Sequence, residues 1–233
     1  MKEYNGEKAI ISLTSWKARI NTVHKTIANL IGMCPGFHIV LCLSEEEFPK
    51  KEAELPENLM RFVNLDLLEI LWVYKNYKSF KKVLFTMDKY KEVPVISADD
   101  DCIYTCNYAE KLYEKWIDNK RCFISYTVTP SSHETWGYAT LHFPNCYKSL
   151  WKKYLDVIYK NNFFQDDKFY VLLRKQLKIN DNIIQINFEK NYSLLQKNNS
   201  ISFTHTIDKP ITSFGKNNQN LLIKEQVFYR SII

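Results

Sequence analysis

The sequence predicts an α/β domain with a central, mostly parallel sheet flanked by helices. Two observations carry this. Apolar runs of strand length recur at Ala9–Leu13, Phe37–Leu43, Leu67–Tyr74 and Val93–Ala98. Between them lie segments with helical apolar spacing, as at Val23, Ile27, Leu30 and Ile31. Strands that alternate with helices pair in parallel, because each crossover helix covers a face of the sheet. A chain of 233 residues suits one domain, 1–233, with a sizeable core. No repeat or linker divides it.

The first strand, Ala9-Ile10-Ile11-Ser12-Leu13, closes at Thr14 and Ser15. Asn21–Ile31 reads as a helix with Asn21 or Thr22 as its N-cap, and Gly32 to Gly36 ends it. Phe37–Leu43 is the second strand. Ser44-Glu45-Glu46-Glu47 opens a helical turn or loop, and Phe48–Pro56 is a polar connector. Leu67–Tyr74 reads as the third strand, Ser79–Tyr90 as a helix and Val93–Ala98 as the fourth strand. Beyond lie a helix at Tyr108–Ile117, a strand at Cys122–Val128 and a loop at Thr129–His142. Helices follow at Pro144–Lys160 and Phe164–Leu177. From Lys190 the chain is rich in Asn, Lys and Ser, a candidate lid or disordered tail.

Composition removes several classes. The five glycines, at 6, 32, 36, 137 and 215, build neither G-x-G-x-x-G nor a Gly-Lys-Ser/Thr loop. Any phosphate ligand must then be held by metal, Lys/Arg and ordinary loop amides. The six cysteines include no C-x-x-C pair, which argues against a structural zinc site. Several sit in apolar runs and read as reduced core residues of a cytoplasmic protein. The N-terminal segment is polar, unlike a signal peptide, and no apolar run nears the ~20 residues of a membrane span. Membrane contact is therefore expected to be peripheral at most. The net charge of +6 suits an anionic partner without choosing among phosphate, nucleic acid and membrane.

The most informative stretch is V-P-V-I-S-A-D-D-D-C-I-Y at Val93–Tyr104. A short buried strand runs straight into Asp99, Asp100 and Asp101. Carboxylates this close repel, and a hard divalent cation with oxygen ligands is their usual neutraliser. Ligands of open α/β sheets bind at the carboxyl ends of strands, where the triplet falls. The bland alternative is a solvated acidic turn.

Four stretches together resemble a known group. They are I-I-S-L-T-S-W-K-A-R-I at Ile10–Ile20, L-C-L-S-E-E-E-F-P at Leu41–Pro49, Y-K-S-F-K-K-V-L at Tyr77–Leu84 and I-S-A-D-D-D-C-I-Y at Ile96–Tyr104. In this order they resemble the small bacterial glycosyltransferases of GT-A (Rossmann-like) fold that build lipopolysaccharide or capsule. The likeness covers the first half of the chain and is loose beyond it. It implies a nucleotide-diphosphate-sugar donor, a glycan or glycolipid acceptor, no nucleic acid, and Mn2+ or Mg2+ at the D-x-D motif. It further implies that about 1–128 binds the nucleotide sugar, and that about 129–233 forms the acceptor half and tail.

On this chain the resemblance makes Asp101 the first direct metal ligand. Asp99 would hold a metal-bound water or face the donor, and Asp100 joins the donor site. Ser12, Thr14 and Ser15 would line the nucleoside, and Arg19 would reach the base or diphosphate. As plain chemistry, Arg19 is equally a surface residue at a helix start. Lys78 and Lys82 lie four apart on the expected helix, hence on one face, which favours an anion between them. In the resemblance that face meets the donor; otherwise it is a solvated basic face.

An inverting transfer also needs a base for the acceptor hydroxyl. Asp166, with Asp167 beside it, is the candidate, although acidic residues in a first helical turn also serve as ordinary caps. Retaining enzymes need no such base, so the pair favours inversion. Gly137, in Trp136-Gly137-Tyr138-Ala139, permits close backbone approach to donor sugar or acceptor. His205 is a candidate third metal ligand or a structural histidine. His133 carries no assigned role.

Three other classes compete. Metal-dependent nucleotidyl or phosphoryl transfer uses similar carboxylates. A nucleic-acid binder would explain the charge and the 15% aromatic content, but the triplet repels phosphates and the lysines are dispersed. A degenerate scaffold is the last, and the intact triplet argues against it.

Overall fold

The computed structural model describes residues 8–104, 107–135, 138–187 and 223–229. In chain order the elements begin β1 (Ile10–Thr14), α1 (Val23–Met33), β2 (His38–Ser44), α2 (Glu57–Asn64) and β3 (Glu69–Val73). Then come α3 (Lys81–Lys89), β4 (Val95–Ser97), α4 (Tyr108–Ile117), β5 (Phe123–Ser125), β6 (Val128–Thr129), β7 (Glu134–Thr135) and β8 (Thr140–His142). α5 (Leu155–Lys160), α6 (Asp166–Gln176), β9 (Ile183–Gln185) and a helix at 223–229 complete the described set.

Seven strands form one sheet in the order β3-β2-β1-β4-β8-β5-β9. All neighbours are parallel except β8, which runs against β4 and β5. The expected α/β architecture is therefore present, mostly parallel and flanked by helices.

Alternation along the strands explains the layers. Ile11, Leu13, Ile39, Leu41 and Leu43 face one side and pack with Ile27 and Leu30 of α1, Leu59 of α2 and Leu112 of α4. Ile10, Val40 and Cys42 face the other side. That side also carries α3, α5 and α6, through Val83, Leu84, Ile158, Phe169 and Leu173. With both faces covered, the central strands are largely apolar, as parallel strands are, with buried Ser12 and Ser97 as interruptions. Each fully buried Ile or Leu contributes roughly 1.5–3 kcal/mol of burial energy.

Several expected boundaries differ. α2 replaces part of what sequence left unassigned, its Leu59 buried against the core. The long helix expected at Pro144–Lys160 is reduced to a 3-10 turn at Leu150–Tyr154 followed by α5. Asn145 and Lys148 take left-handed φ of 52° and 48°, which breaks a right-handed helix. The expected loop at Thr129–His142 contains β6, β7 and the sheet strand β8. Thr22 is the N-cap residue of α1, one of the two expected, but its hydroxyl makes no capping bond and donates to the Arg19 carbonyl.

Five cysteines are free thiols, with Cys34, Cys42, Cys102 and Cys146 buried, and Cys106 lies outside the described residues. Among the described residues, no helix is long and apolar enough to cross a membrane.

Candidate active site

β1 and β4 are parallel neighbours, so their carboxyl ends lie at the same end of the sheet. The ladder carries on for one more step through Ala98 N–H to Ser12 O, 2.9 Å. The triplet then turns over the ends of β1 and α1.

Its three carboxylates divide the work. Asp100 points inward, 8% exposed. Its Oδ2 accepts from Ser15 Oγ at 2.6 Å and its Oδ1 from Arg19 Nη1 at 2.8 Å. Thr26 Oγ1 of α1 donates to its carbonyl at 3.0 Å. Burial raises the Asp100 carboxyl to about 6, with Arg19 and Ser15 opposing the rise. Arg19 also reaches Asp101 Oδ2 at 3.1 Å. The loop is pinned again at Tyr104, whose hydroxyl accepts from Asp99 N–H at 2.8 Å. The Tyr104 backbone exchanges two hydrogen bonds with the Asn29 amide, 2.6 and 3.0 Å. Asp99 and Asp101 are left more exposed, with side chains 36% and 16% accessible.

Facing the triplet from α3 is Lys82. Lys82 is buried, yet its Nζ lies 2.6 Å from Asp99 Oδ1 and 3.4 Å from Asp166 Oδ2. Burial opposes its charge, but Asp166, Asp99 and Asp167 outweigh that and hold the ammonium above the usual lysine range. The ammonium thus joins the triplet to the acidic pair at the start of α6.

Burial drives the Asp166 carboxyl up, with Lys82 opposing. Asp167 is driven well up by burial and then by Asp166. Neither Asp166 Oδ2 nor Asp167 Oδ1 has a hydrogen-bond partner among the described residues. The N-cap of α6 is Gln165, which makes no side-chain capping bond. Burial raises the Tyr138 phenol, a hydrogen bond with Thr127 opposes the rise, and Cys102, Asp99 and Asp167 add to it.

Other expected site residues are placed differently. Ser12 Oγ faces α3 and pairs with Thr86 Oγ1 at 2.7 Å, fully buried, so its hydroxyl is spent in the core. Thr14 Oγ1 donates to the Cys42 carbonyl at 2.7 Å. Ser15, Arg19 and Asp100 bind one another, so they brace the loop instead of reaching outward. Lys78 precedes α3 with a left-handed φ of 52°, which removes it from the helical face shared with Lys82. The charges acting on Lys78 are Glu47 and Glu225, and burial lowers its ammonium. Gly137 and His205 lie outside the described residues.

The residues fit a hard divalent cation. Asp99, Asp101 and Cys102 offer ligand atoms within 4.8 Å of one another. Burial drives the Cys102 thiol well up, with Sγ 3.7 Å from Asp101 Oδ1. The two carboxylates are hard oxygen donors of the kind that Mg2+ or Mn2+ takes.

Sequence reasoning missed Asn29, which lies in no motif, and gave no role to Tyr104, the last residue of the aspartate stretch. Ser79 is a third: its Oγ donates to the Phe164 carbonyl at 2.5 Å and holds the approach to Asp166.

No family model matches the chain, and no curated protein matches it. The solved structures it is similar to include the following three. One is GalNAc-T7 with UDP, GalNAc and Mn2+, at 15% identity and TM-score 0.41, over 53% of this chain and 23% of that one. Another is the mannosyltransferase PcManGT from Pyrobaculum calidifontis in complex with GDP-Man and Mn2+, at 10% identity and TM-score 0.49. It is matched over 78% of this chain and 56% of that one. The third is the bifunctional IspDF from Campylobacter jejuni, at 16% identity and TM-score 0.45, over 87% and 53%. The chain spans 23% to 56% of the length of these structures.

Proposed function

We propose that the chain is a metal-dependent glycosyltransferase. It would move a sugar, with inversion, from a nucleotide-diphosphate-sugar donor to a glycan or glycolipid acceptor of a bacterial surface polysaccharide. The observation that carries this reading is the convergence of Asp99 and Asp166 on one buried ammonium, Lys82. A site for an anionic donor and a site for a proton acceptor then share one opening. The four-block resemblance in the first half of the chain supports the same reading.

Asp99 and Asp101 would hold Mn2+ or Mg2+. Bound there, the cation supplies Lewis-acid stabilisation of a departing diphosphate. Lys82 adds fixed positive charge in a site of low polarity, where it acts more strongly than in water. Arg19 offsets Asp100 and Asp101, which limits the repulsion within the triplet. Asp166 would accept the acceptor hydroxyl proton at Oδ2. Its burial makes it a stronger base than a solvated carboxylate, and Lys82 holds it in place. The 1–128 half would bind the donor and the 129–233 half the acceptor. Catalysis would take place at the cytoplasmic face of the membrane, with peripheral contact through basic residues.

Calorimetric titration with a panel of nucleotide diphosphates and nucleotide sugars, with and without Mn2+, tests the reading on the parent chain and on Asp101→Ala. The expected result is Mn2+-dependent binding of one nucleotide sugar, lost in the variant. Absence of binding from a folded chain overturns the donor site. Metal-dependent release of pyrophosphate without sugar transfer would favour nucleotidyl transfer instead. Failure to co-sediment with anionic vesicles at low salt removes the membrane contact.

A further inference from the structure

The approach to Asp166 is held from a part of the chain about sixty residues away. Glu225, in the 223–229 helix, is fully buried. Its Oε1 accepts from Phe164 N–H at 3.1 Å and Gln165 N–H at 2.8 Å. Tyr229 Oη donates to the same oxygen at 2.7 Å and to the Gln165 carbonyl at 3.4 Å. These two backbone amides immediately precede α6, whose own N-cap makes no side-chain bond. Glu225 therefore accepts from the N–H of the N-cap residue Gln165, the donor that a capping-box side chain at the third helical position would take, and from Phe164 N–H just before it. The Phe164 carbonyl is occupied too, by Ser79 Oγ and by Asp166 N–H at 3.0 Å.

The helix is seated by aromatic packing. Phe228 and Tyr229 meet Phe163 at ring separations of 5.3 and 6.0 Å, and Tyr229 meets Phe169 of α6 at 6.2 Å. Burial raises the Glu225 carboxyl, and its Oε2 has no hydrogen-bond partner among the described residues.

We propose that Glu225 is a positioning residue for Asp166, and that the 223–229 helix is a strap that sets the acidic pair against Lys82. The catalytic meaning of this strap rests on the role of Asp166 proposed above; its geometry does not. A glutamine at 225 keeps a carbonyl acceptor for the two amides. An alanine leaves two amides without their acceptor.

The test uses the full chain, 15N-labelled, as parent, Glu225→Ala and Glu225→Gln. In Glu225→Ala, amide exchange at Phe164 and Gln165 is expected to quicken about tenfold, the equivalent of one lost hydrogen bond. The Lys82 Nζ resonance should shift as Asp166 withdraws. Glu225→Gln should restore both. An unmoved Lys82 resonance in Glu225→Ala, or equal damage in both variants, overturns the proposal. Should Glu225→Ala unfold, Glu225→Asp serves, since its shorter side chain withdraws the acceptor; a Lys82 resonance identical to the parent's then overturns it. Transfer assays separate the two readings. Loss of kcat in Glu225→Ala at constant KM, recovered in Glu225→Gln, supports the strap acting through Asp166. A shifted Lys82 resonance in a chain that transfers no sugar supports the strap and removes Asp166 as base.

Discussion

Lys82 Nζ stands 2.6 Å from Asp99 Oδ1, so the protein places its own cation against an outer carboxylate of the triplet. Lys82→Met removes the charge at similar volume and leaves Asp166 buried without its counter-ion. Stability should fall by about 3 kcal/mol, read from urea unfolding, with the share from the more exposed Asp99 screened by solvent. Mn2+ titration should show tighter binding, because the ammonium no longer competes for Asp99. Unchanged Mn2+ affinity would separate Lys82 from the cation site.

Arg19 and Asp100 form a nearly buried pair at 2.8 Å. Arg19→Ala should cost about 3 kcal/mol, since it strands a buried carboxylate. Asp100→Asn in that background should recover part of the loss, with a coupling of about 1–3 kcal/mol in a double-mutant cycle. Additive effects would show that the pair is not a brace.

Asp166→Asn should lower transfer about 10²- to 10⁴-fold while calorimetric donor binding is retained. A loss of donor binding equal to the loss of transfer would place Asp166 in donor recognition and not in proton transfer.

Glu69 on the edge strand β3 gives a pH dependence. Burial opposes its ionisation, but hydrogen bonds from His38, Lys89 and Tyr90 outweigh that and hold it at about 2. A carboxyl depressed in the folded chain adds stability above its unfolded value, 4.5. That stability drains away as pH falls from there towards about 2. Glu69→Gln should therefore flatten the acid limb of urea midpoint against pH. An acid limb identical to the parent's would rule this cluster out.

The parallel sheet and the two acidic motifs were legible because each has a dense local signal. Val95–Ser97 is apolar up to the triplet, and Asp166 and Asp167 open a helix with a clear apolar face. The inward turn of Asp100 was not legible, because strand alternation lapses once the ladder ends after Ala98. Lys78 was misplaced because nothing in Tyr77-Lys78-Ser79 announces a left-handed lysine. β8 has three residues, too few to show a period, and its pairing depends on β4 and β5. Glu225 acts through backbone amides far away in the chain, a relation that local pattern does not encode.

The reversed strand β8 has a consequence for how this chain can change. Ser97, Thr140 and Ser125 stand in one row across β4, β8 and β5, tied by Ser125 Oγ to Thr140 Oγ1 at 2.9 Å and Ser97 Oγ to the Thr140 carbonyl at 3.1 Å. The chain between β5 and β8 thus departs and returns at the same edge of the sheet, beside Asp99. Midway it is moored to α6, where Arg174 Nη2 donates to the His133 carbonyl at 2.6 Å. Doubling the length of such a loop costs only about 0.6 kcal/mol in closure entropy. Added length in this excursion should therefore cost little stability, while the aspartate triplet keeps its anchors in Ser15, Arg19 and Thr26.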